Sequence, residues 1–149
     1  MRVFHQYGSK ERLFEMVEKV NGISLKEENL SSDAEDELLR EFVIYSAKRL
    51  SLKNIPHISL INKPNEARDM DTFGEFDFDD NKIEVVEYNR NFADILRTLG
   101  HELVHHGQDS KHKLNAEDGE TGSAEENEAN EKAGILVREF GKLHPEIYE

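Results

Sequence analysis

The chain has no cysteine among its 149 residues. Disulfide bonds and thiolate metal ligands are therefore excluded, and any zinc site must use histidine and carboxylate side chains, which is more typical of catalytic than of structural sites. The chain also has no apolar run long enough to cross a bilayer, and residues 1–6 lack the apolar centre of a signal peptide. We therefore expect a soluble cytoplasmic protein with no membrane partner.

Positive charge is scarce as well. Lysine and arginine total 19 against 32 acidic residues, which gives a formal net charge of -13 at pH 7. This excess disfavours binding to nucleic acid, and we interpret it as a solvated acidic surface, with a cationic partner as the alternative. With 36% hydrophobic residues, the chain is expected to form one domain, residues 1–149, around a buried core.

The chain contains one motif that carries chemistry, His101-Glu102-x-x-His105. Residues four apart lie on one face of a helix, so the two imidazoles can bind one metal ion. Glu102, at the flank of that face, can reach a metal-bound water and act as the catalytic base. The alternative is a helix whose histidines are simply solvated.

Apolar periodicity and turn residues predict an α+β fold. The expected elements are a helix from Ser9 to about Asn21, a helix from Ser32 with Glu35 in a capping box that ends before Pro56, a strand over 57–61, a loop to about Thr72, a β-hairpin over 73–87, a motif helix from Asn91 to Gly107, a polar flexible loop over 108–122 and a last helix over 123–143. This is a helix-rich arrangement with two N-terminal helices and a small three-stranded sheet.

The hairpin turn contains Asp77-x-Asp79-x-Asn81, which resembles the start of a calcium-binding loop. Position six of that loop needs glycine, but Lys82 stands there, and position twelve needs a bidentate acid, but Tyr88 stands there. The sequence therefore favours a plain hairpin turn over a calcium site.

Two histidines leave tetrahedral zinc short of one protein ligand. The start of the last helix offers three carboxylates, Glu125, Glu126 and Glu128. Relative to the apolar stripe of that helix, Glu126 lies about 40° from the centre, Glu125 about 60° and Glu128 about 120°. Glu126 is therefore favoured as the ligand, but it also completes a capping box with Ser123 and would then point back at the helix start.

The sequence resembles the gluzincin class of zinc metallopeptidases, in which H-E-x-x-H precedes a glutamate on a later helix. Residues 126–130 followed by Ala133 and Leu136 are similar to the E-x-x-A-N-x-x-A-x-x-L pattern of the ImmA/IrrE-like metallopeptidases, and the compact form also resembles small phage-encoded members. The resemblance covers the chain from the hairpin to the last helix. It implies a zincin fold, zinc as the cofactor, Glu126 as the third ligand and Asn130 as its neighbour.

This family pattern is not complete, because the family usually has phenylalanine where Lys132 stands and often glycine where Val104 stands. These departures bear on the subfamily rather than on the zinc site. If the chain is phage-encoded, association with a virion is the alternative to a cytoplasmic location.

Together these observations predict a zinc-dependent peptidase in which Glu102 activates the metal-bound water against a protein or peptide substrate. The hairpin strand near Phe73 to Phe78 is expected to pair with an extended substrate, unless it is an ordinary edge strand protected by its acids. Spacing does not identify the residue that stabilises the oxyanion; the chemically able side chains are His106, His112, His144 and Tyr148. The alternatives are a non-peptide zinc hydrolase with the same residues, or a metal-binding structural module with weak or no activity.

Overall fold

A computed structural model describes residues 11–16, 25–27 and 34–149 as an α+β fold. The elements in chain order are β1 (Glu11–Met16), β2 (Leu25–Glu27), α1 (Ala34–Arg49), β3 (His57–Ile61), α2 (Pro64–Arg68), β4 (Gly74–Asp77), β5 (Lys82–Val86), α3 (Phe92–Lys111) and α4 (Ala124–Leu143). Single 3-10 turns follow at Ala116–Gly119 and Pro145–Tyr148. Within the described residues, every helix is too short or too polar to serve as a membrane span.

The sheet has the strand order β2-β1-β3-β5-β4. Strands β3 and β5 are parallel, with His57 opposite Lys82 and Ile61 opposite Val86, while the other neighbours are antiparallel. The predicted three strands, β3, β4 and β5, form a mixed sheet, and β1 and β2 extend it on the far side of β3. This order leaves β4 at the edge of the sheet, next to the helix that carries the histidine motif.

The prediction of a helix from Ser9 to Asn21 is wrong over its described part, because residues 11–16 form β1. This strand pairs with β3 from Glu11 opposite Ile61 to Phe14 opposite Ile58. Strand β3 is buried at every residue but its first, so it needs a neighbour on each side. Such long-range pairing overrides the local periodicity of a short apolar segment. The predicted capping residue Ser32 lies outside the described residues.

Small residues bring α3 and α4 close together. A Cβ atom added to Gly100 would lie 3.4 Å from Cζ of Phe42 and 3.7 Å from Ala133, and Ala129 and Ala133 are fully buried. The ring centroids of Phe42 on α1 and Phe140 on α4 lie 5.3 Å apart, edge to face. Helix α1 therefore packs over the contact between α3 and α4. This close approach holds the motif helix against the start of the glutamate helix.

Three local predictions need correction. Helix α3 does not end at Gly107 but continues to Lys111. Gly107 lies inside the helix and leaves room for Leu52, since an added Cβ atom would lie only 3.0 Å from that side chain. Asn91 occupies the N-cap position of α3 but makes no side-chain capping bond. The predicted loop before Thr72 contains α2, with proline in its first turn.

Candidate metal centre

Three side chains from two helices converge on one point. Nε2 of His105 lies 2.9 Å from Oε1 of Glu126, Nε2 of His101 lies 3.2 Å from the same oxygen, and the two nitrogens are 3.2 Å apart. Atoms bound at about 2.0–2.1 Å to one tetrahedral ion lie roughly 3.3 Å apart. The three predicted ligands are therefore brought together at a spacing that fits a divalent metal ion.

The hydrogen bonds around His105 orient its ring for metal binding. Nδ1 of His105 lies 2.8 Å from Oε1 of Gln108, and an amide oxygen can only accept, so Nδ1 carries the proton. In the neutral ring Nε2 then presents a lone pair to the carboxylate oxygen of Glu126. Two facing acceptors repel each other unless a cation lies between them. The donor set thus fits a cation at this point, either a metal ion or the second proton of a charged ring.

Gln108 was missed by the sequence reasoning, which placed it in a loop. Its Nε2 donates to the backbone oxygen of Glu125 at 2.9 Å and to Oε1 of Glu128 at 2.7 Å, which fixes the amide with its oxygen towards His105. The side chain is buried and connects the motif helix to the start of α4. Its position three residues after His105, on the same helix face, is the signal that could have indicated it.

The first turn of α4 separates the three carboxylates. The Oγ atom of Ser123 accepts from the backbone N–H of Glu126 at 3.0 Å, so Ser123 caps the helix while the carboxylate of Glu126 faces the histidines. Glu125 lies 4.0 Å from His112, and Glu128 pairs with Lys132 at 3.2 Å. The ligand and cap interpretations of this turn are therefore compatible, and Glu126 is the carboxylate that joins the cluster.

Burial affects the protonation of His101. The pKa of His101 is lowered, chiefly by desolvation, against the opposing charge of Glu126. A neutral imidazole is the form that binds metal. Asn130, expected beside Glu126, hydrogen bonds to His101.

Glu102 lies beside the cluster without joining it. The side chain is buried, and its carboxylate accepts a hydrogen bond from the backbone N–H of Phe76 on β4. Burial, followed by the charges of Glu126 and Glu75, raises the pKa of Glu102 to about 8. A divalent cation bound nearby would lower that pKa and favour the carboxylate form that accepts protons.

An open cleft of about 230 Å³ gives access to these residues. Strand β4 forms one wall with Gly74, Glu75 and Phe76, and the segment 114–119 forms the other. This segment is not the open loop that was expected, because Asn115 and Asp118 cap a 3-10 turn and Ser123 donates to the backbone oxygen of Asp118 at 2.7 Å.

His106, one of the side chains named above for oxyanion stabilisation, has a structural position. It is buried, its Nε2 donates to the backbone oxygen of Asn54 at 3.0 Å, and its Nδ1 lies 3.0 Å from Oδ1 of Asn81. Burial lowers the pKa of His106. The ring thus connects α3 to the hairpin turn, where Asn81 adopts a left-handed φ of 51° and Asp77 accepts from two backbone N–H groups. These contacts are those of a structural turn.

The other residues named for oxyanion stabilisation lie elsewhere. His144 lies 3.4 Å from Glu41, His112 is paired with Glu125, and Tyr148 packs against Gly141. Within the described part of the chain, the side chains that line the cleft include none of these three, nor His106.

Comparisons with protein-family models, curated proteins and solved structures found no match to this chain. The functional interpretation therefore depends on the geometry of the site itself.

Proposed function

We propose that this protein is a zinc-dependent peptidase with a gluzincin-type ligand set. The observation that carries the proposal is the convergence of His101, His105 and Glu126 beside the buried, non-ligating carboxylate of Glu102. A purely structural metal site has no use for a base next to its first ligand. The fold supports this interpretation because a helix with both histidines lies between an edge strand and a glutamate helix.

His101, His105 and Glu126 would hold the ion. When bound, zinc supplies a Lewis acid and lowers the pKa of water to about 7. Glu102 then accepts a proton from the attacking water and returns it to the amine that leaves. Its hydrogen bond from Phe76 holds the carboxylate at the floor of the cleft, facing the substrate.

Zinc is the ion that the donor set favours. Two imidazole nitrogens and one carboxylate oxygen, with a fourth position open to the cleft, are characteristic of catalytic zinc sites. Calcium and magnesium prefer oxygen ligands in larger number, and the spacing of about 3 Å among these three atoms suits four-coordinate geometry.

An extended peptide is the substrate that fits the cleft. Strand β4 is the edge strand, and the backbone oxygen of Phe73 accepts from Val86 on β5, so the backbone groups of Gly74 and Phe76 point to the outer edge. There the N–H of Phe76 donates to Glu102 and the oxygen of Gly74 accepts from Thr72, so the N–H of Gly74 and the oxygen of Phe76 are the groups that a peptide would pair with. A peptide added along this edge would lie over the metal ligands.

Cleavage of a mixed peptide library, followed by mass spectrometry, tests the proposal. The zinc-loaded protein is expected to cut peptides, while the metal-stripped protein and the Glu102→Gln variant do not. Glu125→Gln is the matched control, since it changes a neighbouring carboxylate outside the cluster and should leave cleavage intact. If Glu102→Gln matches the wild type in zinc content, melting temperature and every assay, the protein is better described as a metal-binding structural module.

A further inference from the structure

Arg90 makes no hydrogen bond to a carboxylate among the described residues, although the charge of Asp94 acts on it. Its guanidinium donates to the backbone oxygens of Val86 at 3.0 Å and Asp94 at 3.2 Å, and to Oγ1 of Thr98 at 2.8 Å. These are neutral acceptors, and they use three of the five N–H groups of the guanidinium. The carbon at its centre lies 4.2 Å from the ring centroid of Phe73. In a chain of net charge -13, such a cation is a favourable site for an anion.

An apolar cavity of about 390 Å³ adjoins this guanidinium. Two large aromatic side chains on its rim are unusually exposed, Phe73 at 61% and Tyr88 at 42%. The remaining apolar wall consists of Pro64, Ala67, Met70 and Val86. Arg68 and Asp71 also line the cavity, so its charged groups are two guanidinium groups and one carboxylate, and the net positive charge beside apolar walls fits a ligand that has an apolar side chain next to an anion.

The cavity and the cleft adjoin at the start of β4. Phe73 immediately precedes Gly74, the first residue of β4, and Gly74 packs against the side chain of Thr98, which also accepts from Arg90. A Cβ atom at Gly74 would overlap Thr98, so glycine is needed for this approach. The same Cβ position lies 3.2 Å from Oε2 of Glu102, so Gly74 stands between Glu102 on the side of the cleft and Thr98, the partner of Arg90, on the side of the cavity.

The direction of the strand determines which end of a peptide reaches Arg90. Antiparallel pairing is the more stable mode, and a peptide added antiparallel to β4 runs from Asp77 towards Gly74. Its C-terminal end would then point to Arg90. From Oε2 of Glu102, 3.2 Å from the Cβ position at Gly74, through the side chain of Thr98 to the nitrogen of Arg90 2.8 Å from its Oγ1, the span is at most about 11 Å. That distance corresponds to two or three extended residues at about 3.3 Å each.

We propose, on the basis of the peptidase function above, that Arg90 binds the free C-terminal carboxylate of the substrate while the cavity takes its last, apolar side chain. The protein would then release di- or tripeptides from the C-terminus of peptides that end in an apolar residue. In this hydrolysis the peptide C–N bond breaks, the water oxygen bonds to the carbonyl carbon, and Glu102 passes the water proton to the new amine.

The test uses N-acetylated decapeptides that end in leucine or phenylalanine, each made as the free acid and as the amide. The zinc-loaded protein should cleave the acids with kcat/KM at least about tenfold higher than the amides, and release two or three residues. Arg90→Met should lose this preference through KM, and Arg90→Lys should restore part of it. Arg97→Met, which removes an exposed cation elsewhere on α3, should behave as the wild type.

Two results would overturn the inference and leave the peptidase intact. One is equal cleavage of the free acids and the amides by the wild type. The other is a zinc-loaded Arg90→Met variant in which the cleavage of acids and the cleavage of amides fall by the same factor. If Arg90→Met does not fold, the ratio of kcat/KM for acids to kcat/KM for amides, measured in the wild type and in Arg90→Lys, shows whether Arg90 binds the carboxylate. A wild type that loads zinc but cleaves no peptide in any library would instead refute the peptidase proposal, and this inference with it.

Discussion

Replacement of Gln108 by leucine should weaken metal binding although Gln108 is not a ligand. The change removes the acceptor at 2.8 Å from Nδ1 of His105 and leaves a buried N–H without a partner, while the volume is nearly conserved. Loss of such a neighbour typically costs 10- to 100-fold in metal affinity, or roughly 1.4–2.7 kcal/mol. Competition with a chromophoric chelator measures the zinc Kd, and the cobalt-substituted protein should show a changed visible spectrum.

Two further variants separate this effect from a general loss of stability. Gln108→Glu keeps an acceptor for His105 but loses the donor to Glu128, so it should bind zinc within about threefold of the wild type at a lower melting temperature. Glu128→Ala removes that second contact and the ion pair with Lys132, neither of which involves His105, and should leave the zinc Kd unchanged. Unaltered zinc affinity in Gln108→Leu would refute the reasoning that Gln108 orients His105.

The remaining predictions concern catalysis, the core and the helix contact. Glu102→Gln should retain zinc and reduce kcat by about 10²- to 10⁴-fold, as measured in the peptide assay; a reduction below threefold would contradict the role of base. His106→Ala should lower the free energy of unfolding by about 2–4 kcal/mol in urea denaturation, since the change empties the space of a buried ring and removes the donor to the backbone oxygen of Asn54; no change would show that the ring is not structural. Gly100→Leu should push α3 from Phe42 and Ala133 and lower both zinc content and melting temperature, whereas normal zinc content would contradict the proposed role of that contact.

The histidine motif and the glutamate helix could be predicted because their signals are local. His101 and His105 are one helical turn apart, and the boundaries of α4 follow from the cap at Ser123, the apolar stripe that ends at Phe140 and the proline at 145. The choice of Glu126 from three carboxylates also depended on local helix geometry. The hairpin could be predicted for the same reason, since its turn residues are contiguous in sequence.

Features that depend on distant contacts could not be predicted in this way. Strand β1 exists because β3 accepts it as a neighbour, and nothing in its own six residues distinguishes a strand from a helix turn. Gly107 was interpreted as a helix stop, but its function is to admit Leu52, which lies far away in sequence. The structural contacts of His106 could not be predicted, because its partners, Asn54 and Asn81, come from two other segments.

The most direct test of the proposed metal centre is the zinc content of the purified protein by elemental analysis. We predict close to one zinc per chain in the wild type and in Glu125→Ala, and little or none in His101→Ala, His105→Ala and Glu126→Ala. A wild type that binds no metal would contradict the account. So would zinc that survives Glu126→Ala but is lost in Glu125→Ala.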